Sequence, residues 1–331
     1  MLAISLRGTS QDIHFSQIFE TPLLRNPALA GLFTGDVRVQ TVYRSQWNTV
    51  TDAYRTGSLS AELKKHIGRS DDYITIGAQV LYDKSGTVAL TSTHVLPVLN
   101  YHKSLSAEKN SYLSLGVMGG WVQRSVDRSK MTTNSQYDGT GYNPSLGDGE
   151  SFNKTSYSYI DGSVGMSYNS QIGENTDNNI YIGLAYHHFN RAKKISFYSN
   201  NKYEMMAKWV GSAAMRMNMS DNAYFTLEAN YSKQGTYSET MGGALYSVKL
   251  GNEDDPKYRI HAGAYLRWKD ALIPVAKLEF KPIAVAVSYD ANISQLKAAS
   301  TGRGGFEISL TYQGFFNHLS SSSEALRCPK F

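Results

Sequence analysis

The chain has 331 residues, and its 33 Lys and Arg against 28 Asp and Glu give a formal charge of +5. This modest, scattered excess argues against a nucleic-acid-binding protein. The mean hydropathy is −0.37, and no stretch approaches the roughly 18 apolar residues of a membrane-spanning helix, so a helical membrane protein is excluded. Cys328 is the single cysteine, which excludes an intrachain disulfide and a multi-cysteine zinc site.

The first residues, 1–10, are interpreted as the remnant of a signal peptide, because Gly8 and Ser10 are small residues at the spacing that a signal peptidase reads. Cleavage there makes Gln11 the mature N-terminus, and a genuine short cytoplasmic leader is the alternative. Residues 11–35 contain two prolines and apolar residues without a period. They do not resemble a strand and are expected to plug or cap a barrel lumen.

From residue 36 onward, side chains alternate between apolar and polar with a period of two. The alternation is strict from Tyr258 to Trp268, from Phe225 to Ser232 and from Phe306 to Gln313, and it is softer over residues 74–82 and 113–121. A strand of a membrane barrel shows this pattern over about 9 to 11 residues, since one face meets lipid and the other meets water. Residues 36–316 are therefore predicted to be the barrel, followed by a tail at 317–331.

Turn signals divide the barrel region into about fourteen strands, an even number as in single-chain bacterial barrels. A soluble β-sandwich also alternates. Tyr and Trp recur at many strand ends, however, as a membrane interface requires and a sandwich core does not. The predicted fold is an all-β, transmembrane antiparallel β-barrel. Its strands are expected to start near Asp36, Thr51, Asp72, Val88, Asn110, Thr155, Asn179, Glu204, Asn222, Glu239, Lys257, Ala271, Pro282 and Gly304.

Residues 127–154 form a long segment rich in Gly, Ser, Asn and Asp. This segment is the first choice for a surface that contacts a protein partner, and a flexible solvated loop is the alternative. The candidate contact residues are Tyr137, Asp138, Gly139, Tyr142, Asn143 and Pro144. The candidate plug residues in the 11–35 segment are Asp12, Phe15, Gln17, Asn26, Pro27 and Gly31.

Charged residues on the polar faces of the strands are expected to point into the lumen. In a water-filled pore they would set ion selectivity, whereas in a plugged barrel they would pair with each other and with the plug. A passive diffusion channel is therefore the rival function, and a structural membrane anchor is a third. The candidate lumen charges are Arg38, Arg44, Glu228, Arg259, Arg267, Glu279 and Glu307.

No catalytic or metal-binding motif accompanies the eight histidines, and the sequence predicts neither an enzyme nor a bound cofactor. His187 and His188 are adjacent, so on a strand they would face opposite sides and could not chelate one metal; both are expected at the rim. Four acidic residues of the long segment could bind calcium but lack the spacing of a calcium loop: Asp127, Asp138, Asp148 and Glu150.

Five sequence blocks, in order and spread over nearly the whole chain, resemble the PorP/SprF-type outer-membrane proteins of the type IX secretion system of the Bacteroidota. The blocks are QDIHFSQ (11–17), NPALAG (26–31), YRSQW (43–47), SQYDGTGYNPS (135–145) and GRGGFEISL (302–310). The resemblance implies a non-enzymatic role in the bacterial outer membrane, in exporting or retaining large surface proteins, including adhesins used in gliding. The implied partners are the C-terminal sorting domain of a secreted protein and the secretion machinery.

Overall fold

The computed structural model describes residues 12–46, 54–68, 71–86, 89–150, 152–175, 177–195, 197, 202–251, 256–294 and 303–316. The predicted signal-peptide remnant, Gln11, the tail at 317–331 and Cys328 lie outside the described residues. Among the described residues, no helix has the length and apolar character needed to cross a membrane.

Fourteen strands form one closed antiparallel barrel, in which the first strand pairs with the last to complete the ring. The prediction of an antiparallel β-barrel of about fourteen strands is confirmed. The strands are β1 (Val37–Gln46), β2 (Tyr54–Ile67), β3 (Asp72–Ser85), β4 (Leu90–Ser106), β5 (Ser111–Ser125), β6 (Ser156–Gln171), β7 (Asn179–His187), β10 (Lys208–Ser220), β11 (Ala223–Gln234), β12 (Tyr237–Gly251), β13 (Pro256–Arg267), β14 (Ala271–Phe280), β15 (Ile283–Asn292) and β16 (Arg303–Gly314).

The two faces of each strand differ as the alternation predicts. Large apolar side chains are exposed on the outside, where Leu115 is 67% and Ile76 is 59% accessible. Small polar and charged side chains occupy the inside, as at Ser114 and Gln79, which are buried. An apolar outer belt around a polar interior is what a barrel in a lipid bilayer requires.

A short hairpin between β7 and β10 was not predicted. It consists of β8 (Lys193–Ile195) and β9 (Lys202–Glu204), which pair only with each other. Three-residue strands are too short to show a period, so the sequence placed the start of the next barrel strand near Glu204, whereas β10 begins at Lys208. With the loop between β5 and β6, this hairpin lies at the long-loop end of the barrel, opposite the end that carries short turns such as that between β10 and β11.

The N-terminal segment, residues 12–36, contains a 3₁₀ turn (Ile18–Glu20), a one-turn helix α1 (Pro22–Arg25) and a second 3₁₀ turn (Pro27–Leu29). Proline begins both α1 and the second turn, where its missing N–H costs nothing. Asn26 caps the second turn, because its side chain accepts a hydrogen bond from the Ala28 N–H at 2.9 Å. These short elements give a compact, irregular chain with many backbone groups left for partners outside it.

Candidate functional site

The start of the N-terminal segment is bound to a carboxylate of β16. Glu307 is fully buried, and its two oxygens accept hydrogen bonds from the backbone N–H groups of Ser16 at 2.6 Å and Gln17 at 2.8 Å. Arg44 of β1 lies 3.0 Å from the same carboxylate. A buried carboxylate with two backbone donors and a guanidinium is fully paired, so this contact fixes the segment to the barrel wall.

A second carboxylate, Asp290 of β15, completes the same cluster. Arg44 approaches it at 3.1 Å and Arg267 at 3.3 Å, while Ser16 donates its hydroxyl to it at 2.7 Å. Two buried cations and two buried carboxylates therefore form one cluster beside Ser16. Oppositely charged groups at these distances largely neutralise each other.

In the middle of the segment, amide side chains bind backbone carbonyls between the segment and the barrel wall. Asn26 donates to the carbonyl oxygens of Met166 at 3.0 Å and Leu184 at 3.4 Å. Asn100 of β4 donates in the other direction, to the carbonyls of Ala28 at 2.8 Å and Ala30 at 2.7 Å. Strands β4, β6 and β7, which lie on one arc of the ring, thus contact the same few residues.

Further along, the segment binds Glu62 of β2. The Gly31 N–H donates to this carboxylate at 2.8 Å, and Arg38 donates to it through Nε at 2.8 Å and Nη2 at 2.9 Å. Gly31 has a φ of +82°, and a Cβ there would lie 2.0 Å from the Thr75 hydroxyl. Glycine is therefore required here both by the left-handed backbone and by the close approach to the wall.

Apolar contacts support these polar ones. Phe15, Leu23 and Ala30 of the segment pack in one buried cluster with inward-facing residues of the strands, among them Val42, Leu81, Leu96, Val98 and Met118. Inward apolar residues are unusual on the wet face of a barrel. Their position under the segment indicates that this part of the interior is a packed core.

All seven predicted lumen charges point to the interior. Arg38, Arg44, Glu228, Arg267 and Glu307 are buried, and Arg259 and Glu279 are partly accessible. Three of their pairing partners were not named from the sequence: Glu62, Asp290 and Lys277. Glu62 and Asp290 could have been found from the sequence, because both occupy positions of their strands that alternate with outward-facing residues.

A cavity of about 1110 Å³ remains beside the segment. It is bounded by Glu20, Arg25 and Phe33 on the segment side and extends to the turn residues Asp221 and Lys281. The segment contacts both sides of the ring, including β12 to β14 through Ile18 and Phe19, and the space lies between residues 19–34 and the strands β10 to β16. This space reaches the short-turn end of the barrel.

At the long-loop end, Asp12 lies between two cations. His188 Nε2 is 3.3 Å and Lys208 Nζ is 3.4 Å from its carboxylate, and the other ring nitrogen of His188 is 2.8 Å from Asp161. Burial tends to raise the pKa of Asp12, but Lys208 and His188 outweigh it and hold that pKa well below its usual value. Burial alone would lower the pKa of His188, yet the two carboxylates raise it to about 9.

His187 and His188 lie at the end of β7, as expected, but the expectation that their side chains face opposite sides is wrong. Both side chains are buried, and His187 contacts the Ser163 hydroxyl and the Arg25 carbonyl inside the barrel. The reason is that β7 ends at His187 and His188 has a φ of +58°, so the chain turns and brings the second ring inward as well. Across the described ranges, no cluster of three potential metal ligands is found.

We expect stability to depend on the His188 contact below a pH of about 9. A histidine whose pKa is raised on folding stabilises the folded state fully below its unfolded pKa of about 6.5, and this contribution is lost as the pH rises through the folded value. Thermal unfolding in detergent should therefore show His188→Gln less stable than the unsubstituted protein by at most about 3 kcal/mol at acidic pH. The difference should shrink above a pH of about 9, and a difference that grows with pH would contradict the assignment.

The long loop between β5 and β6 is compact and held by its own side chains. Asp138 accepts hydrogen bonds from the N–H groups of Thr140 and Gly141, both at 3.0 Å, which lowers its pKa to about 2, with the Thr140 hydroxyl the largest cause. Arg128 binds Asp148 at 3.0 Å. Tyr137 and Tyr142 face each other in a β-bridge and are 61% and 56% exposed.

The remaining candidate loop residues fit this arrangement. Gly139 has a φ of +99° at the tip of the Tyr137–Tyr142 turn, and the Asn143 side chain accepts from the Ser145 N–H at 3.0 Å, which places Pro144 in an Asx turn. The carboxylates of Asp138 and Asp148 are both engaged within the loop. The loop therefore presents two aromatic rings on a locally ordered support.

A closed antiparallel barrel with an apolar outer belt and a polar interior defines a bacterial outer-membrane protein. The family model "Type IX secretion system membrane protein PorP/SprF" matches residues 8–312. The chain belongs to this family and is an outer-membrane component of the type IX secretion system. The resemblance drawn from the sequence blocks is confirmed.

Several solved barrels are similar to this chain. The CymD monoaromatic hydrocarbon channel is 12% identical, with a TM-score of 0.49 over 90% of this chain and 94% of that one. A FadL homologue of Pseudomonas aeruginosa is also 12% identical, with a TM-score of 0.48 over 87% and 92%. The translocator domain of the autotransporter NalP from Neisseria meningitidis is 10% identical, with a TM-score of 0.42 over 84% and 87%. No curated protein matches the chain significantly.

Proposed function

We propose that the N-terminal segment plugs the lumen and that the protein works by binding other proteins rather than by conducting solutes. The main support for this proposal is the series of contacts between the segment and the barrel wall. The strongest of them are the hydrogen bonds that the backbone N–H groups of Ser16 and Gln17 donate to the Glu307 carboxylate. The candidate plug residues Asp12, Phe15, Gln17, Asn26 and Gly31 each contact a strand or a strand-end residue. A segment held at so many points is suited to stay in place.

We further propose that the plugged barrel supports secretion and surface attachment of large adhesins. It would do so by binding their C-terminal sorting domain, the periplasmic secretion machinery, or both. Bacterial barrels carry short turns on the periplasmic side and long loops outside. The loop with Tyr137 and Tyr142 would then face the exterior, and the cavity would open to the periplasm.

Deletion of the gene tests this function. A strain without the protein should retain in the periplasm, or degrade, an adhesin that the parent delivers to its surface and medium, and re-expression should restore delivery. A matched control is a secreted protein that carries no sorting domain, whose amount should not change. Normal surface delivery of every sorting-domain protein in the deletion strain would refute the proposal.

The long loop gives a more local prediction. Replacing Tyr137 and Tyr142 by alanine removes two exposed rings, and aromatic residues of this kind often dominate protein interfaces, with losses above about 2 kcal/mol at such sites. Detergent purification followed by mass spectrometry should then recover less of the exported partner. Leu146→Ala, another exposed residue of the loop, serves as the control. Equal recovery from both variants would assign partner binding elsewhere.

A further inference from the structure

The cavity at the short-turn end has two chemically different walls. Apolar side chains of the N-terminal segment form one wall, including Phe19, Pro22 and Leu32. Strands β10 to β14 form the other, with the cations Arg216, Lys249, Arg259 and Lys277. Its volume of about 1110 Å³ is slightly above the usual range for small-molecule pockets, which is enough for a short stretch of extended polypeptide.

Arg25, at the end of α1, supplies a cation with unused donors at this cavity. Its side chain is only 8% exposed, and its Nε and Nη1 have no hydrogen-bond partner among the described residues. The nearest carboxylate oxygen, on Glu228, is 3.7 Å from Nη1, beyond hydrogen-bond distance. The other oxygen of Glu228 accepts the Tyr265 hydroxyl at 2.5 Å. A buried guanidinium in this state is costly unless an acceptor binds it.

Four of the five carboxylates that line the cavity are engaged, Glu228 by the Tyr265 hydroxyl and the other three by cations. Glu20 lies 2.7 Å from Lys277, Glu279 lies 3.2 Å from Lys277 and 3.4 Å from Arg259, and Asp177 of the β6–β7 turn binds Lys249 at 2.8 Å. More cationic than acidic side chains line the space. The cavity therefore favours an added negative charge.

We propose that this cavity receives an extended acidic segment of a periplasmic protein, one carboxylate of which binds Arg25. This inference rests on the proposed function, since it names the kind of partner that a periplasm-facing site would take. The apolar wall would cover the backbone and aliphatic parts of the segment, and the basic wall would face its remaining carboxylates. Guanidinium groups bind carboxylates in a bidentate geometry, which fixes the orientation of the bound carboxylate in addition to neutralising its charge.

The test uses the full chain purified in detergent and a short fluorescent peptide of alternating Glu and Gly, with fluorescence anisotropy as the readout. The Glu peptide should bind, and the same peptide with Lys in place of Glu should not. Arg25→Gln should weaken binding at least about tenfold, equivalent to about 1.4 kcal/mol. Displacement of the peptide by an equal concentration of inorganic phosphate would assign the cavity to a free anion and overturn the proposal.

Two further variants keep the test decisive if Arg25→Gln loosens the segment. Arg259→Gln removes a cation from the opposite wall and should also weaken binding, whereas Arg128→Gln makes the same charge change in the long loop at the other end and should not. No binding by the unsubstituted protein, or equal binding by all three variants, would overturn the proposal. If the peptide does not bind but the deletion strain has a secretion defect, the cavity proposal fails and the proposed function in secretion stands. If the peptide binds but the deletion strain secretes normally, the proposed function fails and the cavity proposal stands.

Discussion

Replacing Arg44 by methionine is expected to destabilise the folded barrel by about 3–5 kcal/mol, because it leaves two buried carboxylates without their shared cation. Arg44 is 1% exposed and lies about 3 Å from both Asp290 and Glu307. Glu307 also holds the backbone of Ser16 and Gln17. The loss should therefore reach the N-terminal segment as well as the wall. Urea unfolding of protein refolded into detergent, followed by tryptophan fluorescence, measures it.

Arg128→Met is the matched control for this experiment. Arg128 also pairs with a carboxylate, Asp148 at 3.0 Å, but its side chain is 45% exposed. A solvated pair of this kind contributes at most about 1 kcal/mol. Equal shifts of the unfolding midpoint in the two variants would show that the buried cluster is not an organised network.

Gly116→Leu is expected to displace the N-terminal segment without altering any residue of the segment itself. Gly116 points inward from β5, and a Cβ there would lie 2.4 Å from the Pro27 carbonyl carbon and 2.6 Å from the Ala28 nitrogen. Both atoms belong to the backbone, so no side chain can rotate away. Overpacking costs about 1–3 kcal/mol in a core that can adjust, and here the cheapest adjustment is movement of the segment off the wall.

Limited proteolysis with trypsin reports this displacement, since cleavage after Arg25 requires the segment to leave its place. The unsubstituted protein should resist cleavage there, and Gly116→Leu should be cut. Gly57→Leu is the control, because Gly57 lies in β2 with nothing within 4 Å of its added Cβ. Equal resistance of both variants would mean that the segment does not depend on the space left by Gly116.

The barrel could be predicted from the sequence because one face of each strand meets lipid and the other meets the interior. Apolar and polar side chains therefore alternate along each strand with a period of two. The predicted starts at Asp72, Asn179 and Ala271 coincide with the first residues of β3, β7 and β14. The same alternation predicts that the side chains of Arg44 and Glu307 point into the barrel. Local sequence therefore predicts the strands of the wall and the side to which their charged residues point.

The path of the N-terminal segment could not be predicted in the same way, because its anchors are distant along the chain. Gln17 and Glu307 are separated by 290 positions, and only the closure of β1 on β16 brings them together. The partners of Asp12 likewise depend on the turn at His188, whose φ of +58° breaks the strand geometry assumed for it. The β8–β9 hairpin is too short to carry a period.

Conductance in a planar lipid bilayer tests most directly the central claim that the lumen is occupied and that the protein acts by binding. The charged residues of an open pore would sustain a steady ion current, whereas the pairs around Arg44 and Glu62 and the packed segment should prevent one. We expect the purified full chain to insert without a steady current and Gly116→Leu to conduct. A large, steady current from the unsubstituted protein would contradict the account and favour a diffusion channel.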